Sequence, residues 1–153
     1  MSAILVQMSD RSWTKQAIHL ACSAARNSGC RVVLLYLMSI KNIGLLGTGI
    51  GAEPPSPSEN EDIEEYAQIA EDYGVELALQ PMTYESLDSA LCQAVELVHA
   101  VVCFAHVPLG KLRWLHRMHL WSLRRRLEGA DCQLNTLDPR EESLPEIVLH
   151  PIR

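Results

Sequence analysis

Residues 3–8, Ala3-Ile4-Leu5-Val6-Gln7-Met8, form a short apolar run that breaks at Ser9-Asp10. Behind the break come apolar positions at helical spacing (Trp13, Ala17, Ala21, Ala24), a glycine stop at Gly29 and a second apolar run, Val32-Val33-Leu34-Leu35-Tyr36-Leu37. Neither run alternates with polar residues, so each is covered on both faces, as in a parallel sheet. Parallel strands need a crossover, and the intervening helix supplies it. The opening therefore specifies a βαβ unit.

The rest of the chain repeats that grammar. Residues 39–58 hold four glycines (Gly44, Gly47, Gly49, Gly51) and three prolines (Pro54, Pro55, Pro57), which predicts a long flexible loop. The acids Glu59, Glu61, Asp62, Glu64 and Glu65 then open a helix, where they suit the positive end, and Gly74 stops it. Val75, Leu77 and Leu79 alternate with Glu76, Ala78 and Gln80, as a strand near a sheet edge does. A helix from about Tyr84 to Val98, with stripe Leu87, Leu91, Ala94 and Val98, leads into Ala100-Val101-Val102-Cys103-Phe104-Ala105, a central strand. Residues 132–137 give the last strand. The order predicts a three-layer α/β/α domain over residues 1–138 with a five-stranded parallel sheet, because crossovers are right-handed. Residues 139–153 contain Pro139, Pro145 and Pro151 and read as a tail.

At 153 residues and 48% apolar content the chain fits one domain. Its net charge of −6 argues against a nucleic-acid binder, but the charge is segregated: nine of 19 acids lie between positions 53 and 76, and six of 13 Lys/Arg between 111 and 126. No stretch approaches about eighteen uninterrupted apolar residues, and the N-terminus lacks a basic region followed by an apolar core and cleavage site, so the expectation is a cytoplasmic protein without a transmembrane segment. Cys22, Cys30, Cys92, Cys103 and Cys132 contain no CxxC pair and read as free buried thiols.

The spacing of the opening resembles the universal stress protein family. There the first strand ends in an aspartate, followed by a hydroxyl residue and an Ala-Leu pair in the helix; Ser9, Thr14 and Ala17-Ile18 stand at the matching positions. The resemblance covers about residues 3 to 138. It implies the adenine nucleotide alpha hydrolase-like fold with strand order 3-2-1-4-5, and a homodimer paired through the last strand, here Cys132, Leu134 and Thr136 alternating with Gln133 and Asn135.

Nucleotide-binding members carry G-x-x-G, nine residues, then G-[S/T] after the fourth strand, a loop whose amides cradle phosphates. Laid on this chain without a gap the motif gives Val107-Pro108-Leu109-Gly110, nine residues, then Leu120-Trp121, and only Gly110 survives. Val107 puts a branched side chain where backbone should face phosphate, Pro108 removes a donor, and Trp121 replaces a hydroxyl residue. What remains is a remnant site of Ser9, Asp10, Met38, Gly110 and Trp121, with no cofactor expected. The glycine cluster at 44–51 follows the second strand rather than the first, so it reads as lid or linker, not a dinucleotide fingerprint.

Residues 111–128 contain no Gly or Pro and read as one helix. At about 100° per residue, Leu112, Leu115, Leu120, Leu123 and Leu127 form a core face. Arg113, Arg117 and Arg124 make a stripe beside it, and Trp114, Met118 and Trp121 a second apolar face. That second face either fills the vacated nucleotide cleft or is a docking surface for a partner, a protein before a membrane or nucleic acid. Cys103, His106, His116 and His119 are too loosely spaced for a metal set, and no nucleophile-elbow sequence is present. The expected function is a non-enzymatic regulatory or scaffold module, homodimeric and not binding ATP. The alternatives are a nucleotide-binding switch with slow ATPase activity and a cytoplasmic accessory of a membrane transporter.

Overall fold

The computed structural model describes residues 2–39, 55–107 and 112–137. Five strands form one parallel sheet: β1 (Ala3–Gln7), β2 (Arg31–Ser39), β3 (Leu77–Tyr84), β4 (Ala100–Phe104) and β5 (Gln133–Asn135). The described helices are α1 (Arg11–Ser28), α2 (Pro57–Tyr73), α3 (Leu87–Val98) and α4 (Arg113–Glu128). The strand order is β3-β2-β1-β4-β5, as the resemblance implies. Most of the 39–58 loop with its glycine cluster, Gly110 and the 139–153 tail lie outside the described residues.

Every side chain of β1 is buried because the sheet has a helical layer on each face. Ala3 and Leu5 point into one core with Val33, Leu91, Val95, Cys103, Leu123 and Leu127, under α3 and α4. Ile4 and Val6 point into the other, with Ile18, Ala21, Leu34, Tyr66 and Ala70, under α1 and α2. The period-2 pleat thus divides one apolar run between two cores. Caps sit where the sequence puts its punctuation. Asp10 caps α1 by accepting from the Trp13 backbone N–H at 3.1 Å. Ser56 and Glu59 close a reciprocal capping box on α2, and the Ser56 N–H holds the Glu59 carboxyl below its usual range. Gly29 and Gly74 end α1 and α2 in the left-handed region, at φ 74° and 73°.

Three boundaries differ from expectation. β3 begins at Leu77 and runs through Pro81 to Tyr84, pairing with β2 along eight residues, and α3 starts only at Leu87 behind its cap Ser86. A proline is tolerated there because β3 is an edge strand with one unpaired side. β5 is cut to three residues. The core face of α4 is corrected most: it consists of His116, Leu120, Leu123 and Leu127, whereas Leu112 and Leu115 are about half exposed. Leu112 lies at the helix cap, one turn ahead of the first buried residue, and Leu115 is turned off the His116–Leu120–Leu127 line.

Candidate functional site

In a doubly wound sheet, ligands bind outside the carboxyl ends of the strands where the strand order reverses, here between β1 and β4. The side chains gathered there come from β1, α1, β4 and β5. Past the end of β1 the Met8 N–H still donates to the Leu35 carbonyl at 2.9 Å, and the Ser9 N–H donates to Thr14 Oγ1 at 2.8 Å, which fixes the strand-to-helix turn. Past the end of β4 the Ala105 N–H donates to the Asn135 carbonyl at 3.1 Å and the His106 N–H to Gln7 Oε1 at 2.9 Å. Gln7 is a buried amide whose oxygen thus ties β4 to β1.

These anchors set the His106 ring beside Ser9 and Asp10. Ser9 Oγ and His106 Nδ1 share a hydrogen bond of 2.6 Å, and Asp10 Oδ1 lies 3.4 Å from the same nitrogen, a charged pair only while the ring is protonated. On the ring's face lies the Trp13 indole, centroids 5.0 Å apart and planes 14° from parallel. Its Nε1–H donates to the Thr136 carbonyl at 3.2 Å. A flat base sandwiched between two rings needs them roughly 7 Å apart, two van der Waals contacts of about 3.5 Å, so nothing fits between these two. Ser9, His106 and Asp10 do not compose a nucleophilic triad either. Both oxygens meet Nδ1, whereas a triad takes the serine proton on one ring nitrogen and orients the ring through the other.

Of the expected site residues, Ser9 and Asp10 come together here. Met38 lies half-buried near the carboxyl end of β2, the neighbouring strand, and Gly110 lies outside the described residues. Trp121 is not brought to the crevice: it is 61% exposed on the outward face of α4, its ring under the Arg125 guanidinium at 4.9 Å. Trp114 and Met118 are equally exposed, so the reading in which this face fills the vacated cleft is not realised. Another indole, Trp13, stands at the crevice instead. Its sequence signal was a tryptophan in the first turn of the helix after β1; its partner His106 stands far along the chain, and no local pattern joins them.

The remaining candidates fall as follows. Arg113 and Arg117 are exposed and Arg124 half-exposed along α4. Cys132, Leu134 and Thr136 are all buried in the chain's own core, so their side chains are not offered to a partner, whereas Gln133 between them is exposed on the β5 edge. Burial pushes the Cys22 and Cys132 thiols up to about 11, and it also pushes the Cys103 thiol well up, with Cys132 and Cys92 adding to it. His119 Nε2 meets the Asp88 carboxylate at 2.7 Å, linking α4 to α3. Among the described residues no three His, Cys, Asp or Glu side chains are grouped to hold a metal, and no helix is long and apolar enough to cross a membrane.

No family model matches the chain, and no curated protein matches it in sequence. Its fold is nevertheless well represented among solved structures. A universal stress protein in complex with cAMP is similar at a TM-score of 0.57 and 15% identity, over 90% of this chain and 96% of that one. A universal stress protein family member from Burkholderia pseudomallei is similar at 0.55 and 17% identity, over 87% and 92%. One from Arabidopsis thaliana, with AMP bound, is similar at 0.50 and 15% identity, over 92% and 95%. The chain has the universal stress protein fold.

Proposed function

We propose that this protein is a non-enzymatic regulatory or scaffold module of the universal stress protein fold, acting as a homodimer, whose nucleotide crevice is closed by its own side chains. The observation that carries the reading is the Trp13–His106 stack at the switch point between β1 and β4. The indole is held from two sides, by the imidazole face and by the Thr136 carbonyl, so a nucleotide base entering there must first break both contacts. Ser9, at the position of the family's aspartate, spends its hydroxyl on His106. Pairing between subunits runs along the β5 edge through backbone and Gln133.

A second reading is a nucleotide-binding switch. It is favoured by the structural neighbours that hold cAMP and AMP. In that reading Trp13 leaves His106 and offers its face to the base. Titration calorimetry with Mg-ATP, AMP and cAMP, together with mass spectrometry of gently denatured protein, separates the two. The closed-crevice reading expects no heat at sub-millimolar nucleotide and no co-purified ligand; a low-micromolar isotherm overturns it in favour of the switch.

A further inference from the structure

The outward face of α4 is the largest gathering of exposed apolar side chains among the described residues. Of the nine large apolar residues that are exposed there, five fall between 112 and 121: Leu112, Trp114, Leu115, Met118 and Trp121. Trp114, Met118, Trp121 and Arg125 follow one another at helical spacing and form a ridge opposite the buried His116–Leu120–Leu123–Leu127 face. Arg113, Arg117 and Arg124 flank the ridge on one side and Arg126 on the other. The only acid on the helix is Glu128, its last residue. Among the described residues none of these five arginines is paired with a carboxylate.

The sheet separates this charge from the densest acidic run, on α2; on α4's own side α3 carries Asp88, held by His119, and Glu96. The acids of α2 lie in the opposite layer, where Asp62 and Glu65 are held by Arg11 and Lys15 of α1 and Glu61, Glu64, Glu71 and Asp72 face outward. A second copy of the chain does not satisfy the ridge through either α4 or α2. An α4-to-α4 contact brings arginines against arginines. An α4-to-α2 contact pairs the charges but sets the indoles against carboxylates, since none of the exposed large apolar residues is on α2.

We propose that α4 seats the protein on an anionic lipid bilayer, with Trp114, Met118 and Trp121 in the headgroup–acyl boundary and the arginines at the phosphate level. Such a surface supplies both what the ridge lacks: an apolar layer deep enough for indoles and negative charge on either side of them. Indole rings suit that boundary because one edge is polar and the body apolar, and arginine stems cover apolar surface while their heads stay wet. As an outer-layer helix with one face buried and the other exposed, α4 can lie along the membrane plane. The acidic layer of α2 then points away from the lipid, so the molecular dipole favours this orientation.

This proposal is independent of whether the crevice holds a nucleotide. Its test is flotation of the full chain with phosphatidylcholine vesicles, with and without about 30 mol% phosphatidylserine. Tryptophan quenching by brominated lipid is read in parallel. The expected result is binding to the anionic vesicles only, weakened by salt, with quenching that is lost in the Trp114→Ala/Trp121→Ala variant together with at least about tenfold in affinity. Both positions are solvent-exposed, so circular dichroism should show the variant folded. Absence of binding by folded wild-type protein overturns the proposal, as does binding undiminished in the variant. Crosslinking from position 118 to a protein rather than to lipid overturns it in favour of a protein groove.

Discussion

Trp13 and His106 lie face to face across the gap between α1 and the end of β4, with the indole N–H tied to the Thr136 carbonyl of the third segment that meets there. One side chain thus links β1's helix, β4 and the end of β5. The consequence is mechanical as well as chemical. Three segments are cross-braced at the point where a doubly wound sheet takes its ligands, so under the proposed closed-crevice reading the contact that keeps a base out also stabilises the carboxyl end of the sheet.

If the indole is a brace, its removal should be felt in stability and in access to the ring beneath. Trp13→Ala should lower unfolding free energy by about 1–3 kcal/mol, less than for a wholly buried aromatic because Trp13 is only half-buried. Diethyl pyrocarbonate should modify His106 faster in the variant, read by peptide mass spectrometry. Unchanged stability together with an unchanged modification rate would show that the stack does not persist in solution.

The dimer is expected to depend on the β5 edge. Leu134 is unsuitable for substitution because its side chain is buried and its loss would damage the core. Gln133 is exposed on the edge itself, so Gln133→Asp places like charges across a twofold axis without touching that core. Sedimentation velocity should show a folded monomer. A dimer of undiminished affinity places the interface elsewhere.

The two leucine classes of α4 offer a direct contrast. Leu123 is fully buried and Leu115 is 47% exposed. Leu123→Ala should cost about 2–5 kcal/mol, and Leu115→Ala within about 0.5 kcal/mol of nothing. Denaturant melts of the pair decide it, and equal costs would mean that the helix is rotated from the orientation described.

The difference between those leucines also shows where sequence reading stops. The βαβ opening and the glycine stops at Gly29 and Gly74 were legible because each is a local signal, an unbroken apolar run, a helical repeat or a stop, whereas the strand order followed from the family resemblance. Leu112 and Leu115 were misassigned because a helical wheel says which residues share a face but not where the neighbouring sheet ends. The alternation that reads as a strand stops at Gln80, yet β3 runs on through Pro81 to Tyr84, because an edge strand has one side whose donors are not needed. The crevice was half legible. Ser9 and Asp10 follow from their place after β1, whereas the Trp13–His106 contact joins residues from distant segments and becomes visible only when β1 and β4 are neighbours.

Acid should weaken the α1–α2 contact specifically. Lys15 Nζ at 2.9 Å and Arg11 Nη2 at 2.6 Å hold the Glu65 carboxyl below its usual range. A depressed folded-state value means that the contribution is fully present above the unfolded value, about 4.3, and is lost as pH falls through the folded one. These groups are exposed, so the effect is modest and screened by salt. Thermal melts of wild type and Glu65→Gln should differ at neutral pH and converge in acid, once the pH has fallen below the depressed folded-state value. A difference that survives in acid would assign the effect to packing rather than charge.

Thiol reactivity should follow burial around the sheet. Cys22, Cys103 and Cys132 are shut in the cores, and the same burial disfavours their thiolates, so two requirements for alkylation fail together. Cys92 is half-buried but its thiol is also pushed up, by burial first, with the nearby Arg126 acting against that. Cys30 is half-buried just ahead of β2 and lacks the full enclosure of the three core thiols. Iodoacetamide at neutral pH should therefore label the half-buried Cys30 and Cys92 in the folded protein, and the other three only on unfolding, as followed by peptide mass spectrometry. Early labelling of Cys103 would mean that β4 and β5 separate readily, and the three-residue β5 would then be a poor platform for the edge pairing proposed above.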